Sequence, residues 1–219
     1  MRITFDQIRA ALTHRDETAK GYRYIDESRA QPAGVVLPLT LAPEPSALFI
    51  LRGAHLKEHA GEVGFPGGKP EPLDIDLRAT ALRELGEEIG LFAGDIEWLG
   101  LLSPCAVITG RYLIHPFVAG VREGASPRVV SSEIESILTL PLLPLITGEM
   151  PFYGVTGEWM GRQRIVQHFR IGPSVLYGAS ATIFYELLAL IAAELGLPMA
   201  PAIPEETPPW GDRYGSTRS

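Results

Sequence analysis

Short apolar runs, partly β-branched and separated by Pro- and Gly-marked breaks, fill the middle of the chain and predict strands. Gly34 to Leu41 (GVVLPLTL) and Ala47 to Leu51 (ALFIL) read as two strands joined by a turn at Ala42-Pro43-Glu44-Pro45-Ser46. Ile96 to Leu102, Tyr112 to Val121 and Glu133 to Leu140 continue the series. Pro116 inside the second of these predicts an edge position or a bulge, because proline brings no N–H to a ladder. Trp159 to Arg170 alternates polar and apolar residues and predicts a hairpin turning near Gly161 and Arg162, with one wet and one buried face. Two stretches change to helical spacing: Asp76 to Ile89, stopped by Gly90, and Ser180 to Leu195, stopped by Gly196 and Pro198. Strands enclosed by helices predict an α+β layer architecture.

The two ends read differently. Met1 to Lys20 mixes charges among its apolar residues, so it predicts a short surface helix and lacks the unbroken apolar stretch of a secretory leader. From Pro198 onward the chain is rich in Pro and polar residues without periodicity, which predicts a flexible tail pinned by Trp210. The expected organisation is a helix and lead-in over 1–32, one domain over 33–197 and a tail over 198–219.

Composition narrows the function classes. The 219 residues carry 26 acidic and 19 basic side chains, a formal charge of -7, which offers no broad basic field for a nucleic acid. A small anion still needs only a local pocket. Ala179 to Leu195 is the most apolar late stretch, but Glu186 and Glu194 interrupt it and it falls short of a membrane span. Cys105 stands alone, which excludes an internal disulfide; with no leader, the expected location is the cytoplasm. Without an activating partner, Cys105 reads as inert, and His115 as a packed strand residue.

The densest information lies in Gly67 to Leu91, GGKPEPLDIDLRATALRELGEEIGL. At about 100° per residue, Glu84, Glu87 and Glu88 fall within an arc of roughly 100°, while Leu82, Leu85 and Ile89 share another. Like charges one turn apart destabilise a helix by a few tenths of a kcal/mol, so something should offset them. A hard divalent cation does so with oxygen ligands. Arg83, one turn before Glu87, has the reach to orient that carboxylate. The bland alternative, a solvated acidic face without metal, suits any isolated E-x-x-E-E. Gly67 and Gly68 shift the balance, since their backbone can approach a metal or phosphate closely.

This constellation resembles the box of the Nudix hydrolases, G-x5-E-x7-R-E-U-x-E-E-x-G-U with U a bulky aliphatic residue; Gly68, Arg83, Glu84, Leu85, Glu87, Glu88, Gly90 and Leu91 match it. Asp74 stands where the first Glu is expected, eight residues rather than seven before Arg83. That variant, with Thr80 to Glu84 reading TALRE, is similar to the coenzyme A pyrophosphatase branch. Upstream, Arg52, Gly61, Phe65, Pro66, Gly67 and Gly68 match that branch in register, while Gly53 replaces Ser and Lys57 replaces Arg. Softer likenesses follow at His115 to Val121, Glu133 to Leu142 and Leu176 to Phe184, so the resemblance covers roughly Ala33 to Leu190.

The resemblance implies an α/β/α sandwich around a mixed sheet and hydrolysis of the diphosphate linkage of a nucleoside diphosphate derivative, with coenzyme A cleaved to 3′,5′-ADP and 4′-phosphopantetheine. It implies Mg²⁺ or Mn²⁺ held by Glu84, Glu87, Glu88 and the Gly68 carbonyl. The general base comes either from the helix, as Glu87 supported by Arg83, or from a later loop, as Glu133 or Glu135, with Glu133 preferred for the loop role. Arg52, Lys57 and Gly67 are the expected substrate contacts, and His55 and His59 add positive charge nearby. The rivals are the same scaffold acting on ADP-ribose, a dinucleotide or a nucleoside triphosphate, and a binding module without turnover. The expected partner is a small nucleotide derivative rather than a nucleic acid or membrane, and a homodimer is left open.

Overall fold

The computed structural model describes residues 3–13, 30–107, 109–159 and 162–211. In chain order its elements are α1 (Phe5–Thr13), β1 (Gln31–Thr40), β2 (Ser46–Arg52), β3 (Val63–Gly64), β4 (Gly67–Gly68), α2 (Leu77–Ile89), β5 (Ile96–Leu101), β6 (Cys105–Ala106), β7 (Tyr112–Val121), β8 (Ile134–Pro141), α3 (Leu142–Thr147), β9 (Tyr153–Trp159), β10 (Arg162–Ile171), β11 (Ser174–Leu176), α4 (Gly178–Glu194) and β12 (Ile203–Glu205).

The main sheet is mixed because β1 runs parallel to β7 and antiparallel to β2 and β4. Its backbone order is β3-β2-β1-β7-β5, with β8 on β2 and β6 on β7. Strand side chains alternate between faces, so β1 and β2 supply two cores. Val36, Leu48 and Ile50 join Ala81, Leu85 and Ile89 of α2 on one side. Leu37, Leu39, Ala47 and Phe49 join Ile8 and Leu12 of α1 and Phe184, Leu187 and Leu188 of α4 on the other. The result is an α/β/α sandwich around a mixed sheet. No helix among the described residues is long and apolar enough to cross a membrane.

Three local features fix α2. The Asp76 carboxylate accepts from Ala79 N at 2.7 Å and caps the first turn. Gly90 ends the helix in the left-handed region at φ 68°. At the other face, a Cβ on Gly34 would lie 2.3 Å from the Leu77 carbonyl oxygen, so only glycine lets β1 approach the start of the helix. Gly86 costs about 1 kcal/mol of helix propensity, but its missing side chain leaves room for the Phe92 ring, which a Cβ would meet at 2.8 Å.

Pro116 is not at an edge. It lies within β7, opposite Val35 of β1. On its other side the partner is split: β5 pairs from Phe117 onward and β6 pairs up to Ile114, so residues 102–104 pass the proline outside a continuous ladder. Leu102 N donates to the Pro116 carbonyl across this gap at 3.1 Å. The interruption that proline requires is carried by the neighbouring chain, and the register shift lies in β5 between Trp98 and Gly100.

β9 and β10 form the expected hairpin, with Trp159 opposite Arg162, so its turn lies outside the described residues. A second sheet, β11-β10-β9-β12, includes the C-terminal stretch. The expectation of a flexible tail is corrected as far as Gly211: β12 pairs parallel with β9, and Trp210 stacks on Tyr177 at 5.1 Å. Residues 212–219 lie outside the described part, as do 14–20 of the N-terminal segment. Pro-rich composition signals a segment that cannot form an element by itself; here the open edge of β9 supplies its partner. The tail also buries a face of β10 that alternation predicts to be wet. His168 is fully buried, with Nε2 3.0 Å from Glu205 Oε2, its ring 5.6 Å from Tyr153 and 5.5 Å from Trp210.

Burial holds the His168 pKa below its usual value even though Glu205 pulls the other way. The unfolded chain therefore binds a proton more readily, and His168 should make stability rise with pH up to about 6.5 and level off above it. Urea unfolding between pH 5 and 8 should show that rise in the parent and a flatter profile in His168→Gln; parallel profiles would exclude His168 as the source.

Candidate active site

The approach of α2 to the glycine strand builds the centre of the site. Gly67 N donates to Glu88 Oε2 at 3.1 Å, and Glu88 is 6 % exposed. Burial pushes its carboxyl up to about 8; the Gly67 N–H opposes that shift, and the neighbouring charge of Glu84 adds to it. Glu84 is also raised, chiefly by burial against the pull of Arg83. It presses on the next glycine, since a Cβ on Gly68 would lie 2.2 Å from Glu84 Oε1. Gly67 itself has φ 157° and no space for a side chain, the Gly34 carbonyl oxygen being 2.5 Å from its Cβ position.

Two arginines divide the acids between them. Arg83 Nη1 donates to Glu87 Oε2 at 3.0 Å and lies 3.0 Å from Glu84 Oε1. Its Nε and Nη2 donate to the Asp74 oxygens at 3.3 Å, and Nη2 also reaches the Lys69 carbonyl at 3.1 Å. Asp74 accepts from Glu71 N at 2.8 Å, and that bond, with Arg83, holds its carboxyl below the usual range. Burial works against the Arg83 charge, but Asp74 and Glu84 together push its pKa up. Asp74, the residue that departs from the box pattern, thus ties the loop to the helix. Arg52 Nη1 lies 3.8 Å from Glu88 Oε1, and its Nη2 donates to Glu133 Oε2 at 3.0 Å. The chain Glu88–Arg52–Glu133 joins the helix to the start of β8, while Glu135 is exposed.

Among the described residues no three Asp, Glu, His or Cys side chains converge as a ready metal-ligand set. Glu84 and Glu88 face the glycine strand, whereas Glu87 is more than half exposed beside Arg83. Sequence spacing places three acids on one arc but does not say that Glu84 and Glu87 share Arg83 while Glu88 is held by Gly67 N and Arg52.

A cavity of about 1220 Å³ opens beside this centre, lined by Arg52, Gly67 and Gly68 and reaching Tyr177 and Trp210. Lys57 and His55 are exposed and do not line it; His59 does, with Nδ1 2.8 Å from Glu62 Oε2. Gly53 leaves space for the His55 ring, which a Cβ there would meet at 2.5 Å. Lys69 and Arg111 line the cavity and were not among the sequence candidates. Lys69 carried a signal, following Gly68 directly. Arg111 had none, because its place depends on β7 lying beside β1, where Gln31 N donates to the Arg111 carbonyl at 2.9 Å. His115 sits in β7 opposite Gly34. Burial pushes the Cys105 thiol up to about 12, which agrees with an inert side chain.

Residues 31–149, more than half of the chain, match the family model of the NUDIX domain. The chain belongs to the Nudix family. It is 34% identical over 155 residues to the uncharacterized Nudix hydrolase NudL of Photorhabdus laumondii, covering 71% of this chain and 82% of that protein. It is 37% identical over 110 residues to the NudL of Yersinia enterocolitica, covering 50% of this chain and 56% of its relative. Among solved structures it is similar to a MutT/nudix family protein from Enterococcus faecalis, with a TM-score of 0.49 and 13% identity over 90% of this chain and 81% of that one. Nudix membership supports a pyrophosphohydrolase acting on a nucleoside diphosphate derivative, and Nudix enzymes in general use divalent metal ions.

The Nudix glycine is the sharpest point to test. Gly68→Ala should displace Glu84 and lower turnover about 100-fold, the scale of a misplacement near 1 Å, with the fold retained. Turnover within twofold of the parent would show that the Gly68–Glu84 contact does not set the site.

Proposed function

We propose that this protein hydrolyses the diphosphate linkage of coenzyme A to 3′,5′-ADP and 4′-phosphopantetheine, using Mg²⁺ or Mn²⁺. One observation carries the substrate class. The cavity beside Gly67 and Gly68 is large enough for a dinucleotide-sized ligand, with cations near the glycines and an apolar wall that includes Val155, Val166, Tyr177 and Trp210. A charged nucleotide end and a long uncharged arm suit such a lining. The upstream match from Arg52 to Gly68 supports the same branch.

The donor set fits a hard cation. Glu88 is buried, raised to about 8 and close to a second raised carboxyl, an arrangement that a doubly charged ion stabilises in its anionic form. Glu84, Glu88 and the Gly68 carbonyl would hold the ion, joined by Glu87 on its release from Arg83, and the ion would supply charge neutralisation at phosphate and a lowered pKa for an attacking water. Arg83 orients Glu87 and Glu84, and Asp74 keeps Arg83 in place. Glu133, steadied by Arg52 and open to solvent, is the preferred acceptor of the water proton. Lys57, outside the cavity, leaves a second reading in which the same site acts on ADP-ribose, a dinucleotide or a nucleoside triphosphate.

Incubation with Mg²⁺ or Mn²⁺ and a panel of coenzyme A, ADP-ribose, NADH and nucleoside triphosphates, with products identified by mass, should give 3′,5′-ADP and 4′-phosphopantetheine as the dominant products. Faster cleavage of another panel member would replace coenzyme A as the substrate. Glu88→Gln should fold, yet lose about two orders of magnitude of metal-dependent turnover; full activity in that variant would take the acidic helix out of the chemistry.

A further inference from the structure

The cations that line the cavity differ in how far they are already committed. Arg52 is bound to Glu133 and faces Glu88, and His59 is held by Glu62. Lys69 and Arg111 are not tied in this way: among the described residues neither forms an ion pair with a carboxylate, although Glu58, Glu62 and Glu206 line the same cavity. Both rest on one ring. Lys69 Nζ lies 5.1 Å and Arg111 Cζ 5.4 Å from the centroid of Tyr112. The negative face of an aromatic ring holds a cation in position without neutralising it. Both positive groups lie beside one tyrosine, and in a protein of net charge -7 they would ordinarily be matched by acids. Here they remain exposed to the cavity.

We infer that Lys69 and Arg111, held against Tyr112 at the rim of the cavity, form a subsite for a phosphomonoester on the substrate, which in coenzyme A is the ribose 3′-phosphate. A phosphomonoester near neutral pH carries between one and two charges and three acceptor oxygens, more than a diphosphate bridge offers at any one phosphorus. Arginine presents a planar fork to such a group and lysine a point charge. The subsite rests on the proposed substrate, and it moves the recognition of the additional phosphate from Lys57, on the outer loop, to a pair brought together by the packing of β4 and β7 on β1.

Calorimetric titration of 3′,5′-ADP and AMP separates the two ideas, since these nucleotides differ only by the 3′-phosphate. The parent should bind 3′,5′-ADP about tenfold or more tightly than AMP. Lys69→Gln and Arg111→Gln should each reduce that preference to about twofold or less while leaving AMP affinity unchanged, and Arg111→Lys should restore part of it. Unaltered melting temperatures would show that the variants fold. A parent that does not prefer 3′,5′-ADP would overturn the subsite, as would variants that weaken both nucleotides equally. Loss of the preference in Lys57→Gln, but not in Lys69→Gln or Arg111→Gln, would assign it to the outer loop instead. If the preference behaves as expected but coenzyme A is not cleaved in the substrate panel, the substrate proposal fails and the phosphomonoester subsite stands.

Discussion

The close approach of α2 to the glycines of β1 and β4 is the constraint on which the site depends. At Gly34 the strand backbone comes against the Leu77 carbonyl, and at Gly67 and Gly68 it comes against Glu88 and Glu84. A methyl group at Gly34 or Gly68 would enter space already filled by backbone or carboxylate. Because no side chain intervenes, a backbone N–H can reach the Glu88 carboxylate and the helix can bury that carboxylate. Burial then raises its pKa, and the raised pKa makes the site favour a compensating positive charge.

The distribution of arginines follows from the same constraint. Three acids on one helical arc repel one another, and the protein answers with two guanidinium groups placed on opposite flanks. Arg83 gathers Asp74, Glu84 and Glu87 from the helix and its preceding loop. Arg52 spans from Glu88 to Glu133 and so couples the helix to β8. Each arginine acts as a clamp as much as a charge, because its fork sets the direction of the carboxylates it binds. Lys69 and Arg111 lie on the cavity side of this arrangement and are held by an aromatic ring instead.

The far wall of the cavity belongs to the second sheet and to the C-terminal stretch. β12 extends the edge of β9, Glu205 meets both His168 and Arg170, and Trp210 stacks on Tyr177. These contacts place aromatic surface opposite the glycine strand. The acids of α2 and the aromatic wall of the cavity therefore come from separate layers, an arrangement in which one wall can change without disturbing the other.

Much of this was legible in the chain. The periodicity of Leu82, Leu85 and Ile89 against Glu84, Glu87 and Glu88 marks α2 and its two faces, Asp76 and Gly90 mark its ends, and alternating apolar runs mark most of the strands. These are local signals, since capping, period and turn chemistry act over a few residues. Pro116 misled because its missing N–H was accommodated by a gap in a neighbouring strand. The tail misled because its partners, the edge of β9 and the side chains of His168, Arg170 and Tyr177, lie far from it in the chain. The pairing of Arg52 with Glu133, 81 residues apart, and the meeting of Lys69 with Arg111 on Tyr112 have no local signature. Residue order alone sets which acids share a helix face and where glycine must stand; the packed fold sets which charges among the described residues meet a counter-charge, because neutralisation depends on distance in space across strands far apart in the chain.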